Sequence, residues 1–172
     1  KGVALNVERL GMCPGDTATL HAAVIPDDAA TQTVTWQSSD ETVATVQDGV
    51  VTALSPGTAT ITAVTDEGGY TNACVVSVVP GVLSSSVYTI SDTEVRGVAP
   101  ATDVNTFKQS FDNGAENLFV YDSDGKEFDG PMMATGMTVK LIVGGIERDS
   151  RAVVVTGDAN GDGRMTIRDY VQ

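Results

Sequence analysis

Residues 33–46, TVTWQSSDETVATV, and residues 49–63, GVVTALSPGTATITA, decide the fold of the first half of this chain. Short runs of Val, Thr, Ile and Ala alternate with polar turn residues, and a Pro-Gly pair interrupts the second string. Side chains of a strand point alternately to the two faces of a sheet, so Val34 and Trp36 should share the face that points into the core. The pattern predicts several short strands and no helix.

The same alternation extends over residues 3–79, in the segments VALNVE, TATLHAAV and ACVVSVV. Frequent turn signals separate these segments, which predicts an all-β sandwich. If TATLHAAV is one strand, Leu20, Ala22 and Val24 lie on one face. His21, the single histidine, then points outward, and no second histidine or patterned cysteine supports a metal or general-base role for it.

These strings resemble a group 2 bacterial immunoglobulin-like domain, and the resemblance covers nearly all of residues 3–79. It implies an Ig-like β-sandwich over residues 1–80 with Trp36 between the two sheets. Domains of this kind serve as spacer and adhesin modules in surface and secreted bacterial proteins. The resemblance therefore implies a module that is not an enzyme.

Two cysteines, Cys13 and Cys74, are too few for a disulfide-dense scaffold. Cys74 lies on the inward face of the last segment of the sandwich, and Cys13 precedes TATLHAAV. Either the two form a bridge between neighbouring strands, or they are separate thiols of which one is buried.

Residues 81–86, GVLSSS, predict a short linker, and residues 87–157 predict a second domain of different character. VYTIS and TEVRGV read as paired strands, and three further strand segments, NLFVYDSDGKEF, MTVKLIVGG and RAVVVT, follow later. Between them, Val104, Phe107 and Phe111 recur at helical spacing, which predicts a helix from Asp103 to Asp112 that buries these three side chains and stops at Gly114. The order is ββαβββ, which predicts a small β-grasp-like α+β domain.

The strings VYDSDGKE and TGMTVKL resemble a small module often placed before dockerin repeats in secreted Firmicute proteins. Asp122 to Gly125 could suggest a calcium loop, but Phe128 falls at position 7 and Met133 at position 12. Neither side chain offers an oxygen, so a hairpin turn is the better interpretation.

The last fifteen residues, DANGDGRMTIRDYVQ (158–172), follow the spacing of a calcium-binding loop. Ca²⁺ takes about six to eight oxygen ligands, and Gly163 provides the sharp turn at position 6. An acidic Gly-rich turn is the alternative interpretation. The candidate ligands at positions 1, 3, 5, 7, 9 and 12 are Asp158, Asn160, Asp162, Arg164 through its carbonyl, Thr166 and Asp169.

Asp in place of the usual Glu at position 12, followed by Tyr170-Val171, makes the loop similar to a dockerin repeat. A dockerin needs two such repeats and docks onto a cohesin, whereas the sequence here holds only the first, truncated, EF-hand-like loop. The resemblance implies Ca²⁺ as the cofactor, bound weakly or not at all by this truncated sequence. A cohesin-type protein is the implied partner of the complete dockerin.

The formal net charge of −13 disfavours nucleic acid and anionic membrane surfaces as partners. No apolar run approaches the roughly 20 residues that span a bilayer, so no membrane insertion is predicted. The sequence shows no signal peptide and no initiator Met, which suggests an internal piece of a longer protein. Ser84 to Ser86 have no G-x-S-x-G context, so no nucleophile is predicted there.

Together these features predict a multi-domain, non-catalytic, monomeric spacer and attachment region of a secreted or cell-surface protein of a Gram-positive bacterium. It would lead into a dockerin of a cellulosome-like assembly. The alternative is an adhesin-type module that binds a host protein, or a cell-wall or host glycan. Tyr70, Tyr88 and Tyr121 are candidates for stacking on a sugar, but they lie on separate segments.

Overall fold

The computed structural model describes residues 1–158 of the chain and divides it into two compact units, Lys1–Val79 and Pro80–Gln172. The first unit, all of which is described, contains only β-strands as regular elements. They are β1 (Gly2–Leu5), β2 (Arg9–Met12), β3 (Thr17–Thr19), β4 (Ala22–Ile25), β5 (Val34–Ser38), β6 (Ala44–Gln47), β7 (Val50–Ala53), β8 (Gly57–Thr65) and β9 (Thr71–Val78).

The strands of the first unit form a mainly antiparallel sandwich of several sheets. One sheet has the order β2-β9-β8-β5, a second has the order β3-β7-β6, and β1 pairs with β4 alone. The buried side chains of β8 and β9, such as Ile61 and Val76, pack with those of β7, such as Val51. The Ig-like sandwich expected for residues 1–80 is therefore present in its main features.

The segment TATLHAAV is not the single strand that its alternation predicts. It breaks at Leu20-His21 into β3, which pairs with β7, and β4, which pairs with β1. The break is held by the backbone: the Leu20 N–H donates to the Gly49 carbonyl at 2.8 Å, and the Asn6 N–H donates to the His21 carbonyl at 3.1 Å. Leu20 is still buried and His21 is exposed, as the alternation predicts.

Trp36 is only partly buried, which corrects the expectation of a fully buried tryptophan. It packs against the core cluster of the sandwich, and its indole borders the turn at Gly49. Strand β5 is an edge strand of its sheet and pairs only with β8.

Trp36→Ala is expected to destabilise the first unit by about 2 kcal/mol, below the range for fully buried tryptophans, because less apolar surface is lost. Thermal unfolding followed by far-UV circular dichroism measures this change. Gln37→Ala, on the exposed face of the same strand, is the control and should cost less. A loss for Trp36→Ala as small as that for Gln37→Ala would contradict the packing described.

The described part of the second unit contains one five-stranded mixed sheet and one α-helix. The sheet order is β10-β11-β14-β13-β12, and β11 runs parallel to β14 while the other pairs are antiparallel. The elements are β10 (Thr89–Ile90), β11 (Glu94–Val98), α1 (Val104–Gln109), a 3-10 turn (Ala115–Asn117), β12 (Leu118–Tyr121), β13 (Thr138–Val143) and β14 (Ile146–Val155).

Helix α1 lies inside the stretch Asp103–Asp112 for which the sequence predicts a helix. The Asp103 carboxylate caps its start by accepting from the N–H groups of Asn105 and Thr106 at 2.9 and 3.2 Å. Val104 and Phe107 are buried as predicted. Phe111 is also buried but lies beyond the helix, which ends five residues before the stop predicted at Gly114. The β-grasp-like class of this unit stays a prediction.

The segment predicted as a linker, residues 81–86, is folded into the second unit. Leu83 is buried, and its N–H donates to the Asp149 carboxylate at 2.9 Å. The Ser84 N–H donates to the Asn113 side chain at 2.9 Å, and the Ser85 hydroxyl donates to the Ser110 carbonyl. Ser84 and Ser85 are therefore hydrogen-bonding residues of the fold, which a Ser-rich composition alone does not distinguish from a flexible linker.

Candidate functional site

Asp158, the first candidate calcium ligand, is the only one of the six within the described residues. It is buried, and one carboxylate oxygen accepts from the Thr135 N–H at 3.0 Å. Its own N–H donates to the Val155 carbonyl at 3.2 Å. The second unit thus fixes the start of the predicted loop against the segment before β13.

The other five candidate ligands lie outside the described residues: Asn160, Asp162, Arg164, Thr166 and Asp169. Within residues 1–158, no three His, Cys, Asp or Glu side chains come together as a potential metal site. The calcium site therefore rests on the spacing of the sequence and on the position of Asp158.

Asp122 to Gly125 form a tight hairpin turn, in agreement with the sequence interpretation. The Asp122 carboxylate accepts from the N–H groups of Asp124 and Lys126 at 3.0 and 2.9 Å. Gly125 adopts a positive φ of 76°, a conformation that glycine reaches without strain. The acidic side chain thus stabilises its own turn.

The three candidate tyrosines are divided between the two units, Tyr70 in the first and Tyr88 and Tyr121 in the second. Tyr88 is buried, and its ring centroid lies 5.2 Å from that of Phe107 and 5.6 Å from that of Phe111. Tyr121 lies on β12, where the Lys140 ammonium lies 4.9 Å from its ring centroid. The burial of Tyr88 therefore leaves its ring unavailable for stacking on a sugar.

Electrostatic interactions in the described residues support local structure. The Glu147 carboxylate bonds to Lys140 at 2.9 Å and raises the pKa of that lysine. Hydrogen bonds from the Thr33 and Thr35 hydroxyls lower the pKa of Asp66. An acid of depressed pKa adds stability above its unfolded pKa and loses it as the pH falls, so Asp66 contributes at neutral pH. None of these groups lines an enclosed cavity.

Cys13 and Cys74 are both buried and are not joined by a disulfide. Strands β2 and β9 run parallel with Met12 opposite Val78, which places Cys13 opposite Val79. Cys74 is five residues further back along β9, roughly 16 Å at the strand rise. Bridged cysteines need Cα atoms within about 7 Å. Burial raises the pKa of the Cys74 thiol, which disfavours the reactive thiolate.

An open groove lies on the outer face of the β6-β7 hairpin of the sandwich and has a volume of about 410 Å³. Its lining consists of polar and aliphatic side chains and one carboxylate: Thr45, Val46, Gln47, Asp48, Val50 and Thr52. The Asp48 carboxylate is the single ionisable group in this lining, and the lining contains no aromatic ring. The groove therefore brings together no pair of groups suited to acid-base or nucleophilic catalysis.

The sequence interpretation missed a buried polar residue, Asn113. Its side-chain N–H groups donate to the carbonyls of Pro80 and Val82 at 3.0 and 2.8 Å, in addition to the bond that it accepts from Ser84. Asn113 is completely buried. The nearest sequence signal is Gly114, which the pattern predicts only as the stop of the helix.

Among residues 1–158, no helix combines the length and the apolar character needed to cross a membrane. Residues 1–76 match the bacterial Ig-like domain (group 2). The first unit is therefore a domain of that group, which accounts for 76 of the 172 residues.

Three curated relatives show how such a segment is distributed among proteins. The chain is 49% identical over 69 residues to an alpha-L-arabinofuranosidase of Bifidobacterium longum subsp. longum, covering 40% of the chain and 6% of that protein. It is 52% identical over 60 residues to a lacto-N-biosidase of Bifidobacterium bifidum, covering 34% and 5%. It is 38% identical over 79 residues to an Ig-like virion protein of Serratia phage KSP90, covering 45% and 31%. The chain thus spans a minor part of each relative.

Among solved structures, two structures of the surface layer protein SbsC are similar to this chain. Its domains 1–6 align at a TM-score of 0.42 with 15% identity, over 92% of this chain and 26% of that one. Its domains 5–6 align at a TM-score of 0.41 with 14% identity, over 91% and 98%. Likeness at this level carries no argument about function.

Proposed function

We propose, from the group 2 bacterial Ig-like domain at residues 1–76, that this chain is a non-catalytic spacer and attachment region of a secreted or cell-surface bacterial protein. In this proposal it holds other domains at a distance and leads into a dockerin that docks onto a cohesin when calcium is bound. The first unit acts as a monomeric spacer module in this role.

The observation that carries the spacer role is the range of proteins that share this segment. The names of an arabinofuranosidase and a lacto-N-biosidase both denote glycosidases, but for different substrates, and the Ig-like virion protein is not named as an enzyme. The matched segment is a small share of each protein. A segment that recurs in such different proteins is better explained by a structural role than by catalysis.

For the second unit, we propose a β-grasp-like α+β module that presents the calcium loop. The order ββαβββ and the mixed sheet with one helix support this class. The position of Asp158 supports the presenting role, because Thr135 and Val155 hold the first residue of the loop in place.

For the metal site, the donor types of the loop fit Ca²⁺, which prefers carboxylate, amide and carbonyl oxygens. Asp158, Asn160, Asp162, Thr166, Asp169 and the Arg164 carbonyl are the proposed ligands. Bound calcium would neutralise the mutual repulsion of the carboxylates and so favour an ordered loop. One half of a dockerin lacks the second repeat that would pre-organise it, so affinity should be low.

Calorimetric titration with Ca²⁺ is expected to show weak binding by this chain, with a dissociation constant of about 1 mM or higher. Asp162→Ala should abolish the heat signal because it removes a ligand. Asp124→Ala is the matched control, since Asp124 is an acid in a turn outside the proposed site, and it should leave the signal unchanged. Equal effects of the two substitutions would contradict the proposed ligand set.

The docking role is tested by titrating a cohesin into this chain and into a chain extended through a second repeat. Only the extended chain should bind, because a dockerin docks with two repeats packed together. Tight binding by the shorter chain would show that one repeat suffices. Failure of the extended chain in calcium would reject the dockerin part of the proposal and leave the spacer part standing.

A further inference from the structure

In the first unit, the last strand pairs in parallel with a strand near the start. Strand β2 runs alongside β9 with Arg9 opposite Val75 and Met12 opposite Val78. The ends of this pair are closed by backbone hydrogen bonds. The Val75 N–H donates to the Glu8 carbonyl at 2.9 Å, and the Val79 N–H donates to the Met12 carbonyl at 3.0 Å.

The second unit repeats this arrangement on a different fold. Strand β11, near its start, runs parallel to β14, the last strand described. The Ala152 N–H donates to the Thr93 carbonyl at 3.0 Å, and the Thr156 N–H donates to the Val98 carbonyl at 2.8 Å. In both units the paired strands lie far apart in the sequence. The two units therefore form the same kind of strand pairing on different folds.

The parallel pairing of a strand near the N-terminus of a unit with a strand near its C-terminus determines how the unit responds to tension along the chain. Tension pulls the first strand toward its N-terminal end and the second strand toward its C-terminal end, so the two strands slide past each other. The hydrogen bonds lie across the strands, and sliding strains all of them at once. If the same strands were pulled apart from one end, the bonds would break one after another under a smaller force.

Elements ahead of the parallel pairs do not change this geometry. In the first unit, β1 pairs with β4 rather than with β9, so its detachment leaves the β2-β9 pair in place. In the second unit, tension arriving at Pro80 first meets the segment held by Asn113 and Asp149. That segment is itself bonded to β14 through Asp149, which adds resistance. Strand β10 comes next, and because it pairs with β11 over two residues only, it detaches before β11 is loaded.

We propose that both units are load-bearing modules, built to resist unfolding when the chain is stretched between its two ends. This function extends the proposed spacer role and holds whether or not the chain docks onto a cohesin. Its physical basis is the shear loading of the β2-β9 and β11-β14 pairs.

Single-molecule force spectroscopy on the whole chain tests the proposal by changing only the direction of pulling. In the first geometry, handles are attached at the two chain termini. In the second, the N-terminal handle stays and the other is attached at Glu67→Cys. Glu67 is exposed in the turn before β9, so the second handle moves from the C-terminal side of β9 to its N-terminal side.

Pulling by the termini should give two high-force events, each releasing about 25 nm of chain, as expected for units of this length. Pulling through residue 67 should unfold the first unit at a several-fold lower force, because β2 and β9 are then peeled apart from one end. Chemical denaturation should give the same stability for both handle arrangements, since forced unfolding depends on the path and not on the equilibrium. Equal forces in the two geometries, or low force in both, would overturn the proposal.

Discussion

Replacing Asn113 with Ala is expected to lower the free energy of unfolding of the second unit by about 3–5 kcal/mol. The side chain is completely buried and bonds to three backbone groups: the carbonyls of Pro80 and Val82 and the N–H of Ser84. Truncation leaves these groups without a partner and opens a small cavity. Buried polar groups that lose their partners cost about 1–3 kcal/mol each.

Asn113→Asp separates the lost hydrogen bonds from the lost volume. It keeps the shape of the side chain and the oxygen that accepts from Ser84, but it turns the donor that faces Pro80 and Val82 into an acceptor. We therefore expect it to destabilise the unit as much as Asn113→Ala does. Asn105→Ala, an exposed position on α1, is the control and should have little effect.

Hydrogen exchange followed by mass spectrometry tests this prediction, because it measures the amide protection of individual segments of the chain. Amide protection should fall in peptides that contain residues 80–90 and 104–121, which the Asn113 side chain ties together. If Asn113→Asp were as stable as the wild-type chain, the hydrogen bonds to Pro80 and Val82 would not hold this segment.

Replacing Gly49 with Ala is expected to destabilise the first unit by about 3–4 kcal/mol. Gly49 has a φ of 81° in the two-residue turn between β6 and β7. A Cβ atom there would lie 2.5 Å from the Leu20 carbonyl oxygen and 3.3 Å from the Trp36 ring. The Leu20 carbonyl oxygen is a backbone atom, and the N–H of the same residue donates to the Gly49 carbonyl. Moving Leu20 to relieve the clash would therefore disturb the junction of β3 and β4.

Gly15→Ala separates backbone strain from the clash. Gly15 has a φ of 90°, but a Cβ atom there would meet nothing within 4 Å. It should cost only the conformational penalty, about 1–2 kcal/mol. Trp36 is the single tryptophan of the chain, so its fluorescence reports unfolding of the first unit in a urea titration. Similar urea midpoints for Gly49→Ala and Gly15→Ala would show that the clash with the Leu20 carbonyl oxygen adds no destabilisation.

Local sequence patterns were sufficient for the features that depend on near neighbours. Helix α1 could be predicted because Val104 and Phe107 recur at helical spacing behind Asp103, whose carboxylate caps the first turn. The hairpin at Asp122 follows from a side chain that bonds to its own turn. The buried alternation of β8, with Ala59, Ile61 and Ala63 fully covered, follows from the period of a strand.

The candidate site was predictable only as a spacing of oxygen donors. The sequence predicts that Asp158 begins a calcium-type loop. That Asp158 is held by Thr135 depends on a contact across 23 residues, which no local pattern specifies. Asn113 was missed for the same reason, since its partners lie about 30 residues earlier in the chain.

The sequence alone therefore determined that the first unit is an all-β sandwich, because its alternation and turns predict several short strands. Its Ig-like class came from the resemblance of residues 3–79 to a group 2 bacterial immunoglobulin-like domain. Only the tertiary structure decided where TATLHAAV breaks, how far Cys13 lies from Cys74, and that β2 and β11 run parallel to the last strands of their units. These features depend on which strands share backbone hydrogen bonds. Strand pairing joins residues far apart in the chain, and the free energy of a pairing is set by the whole core rather than by the local sequence.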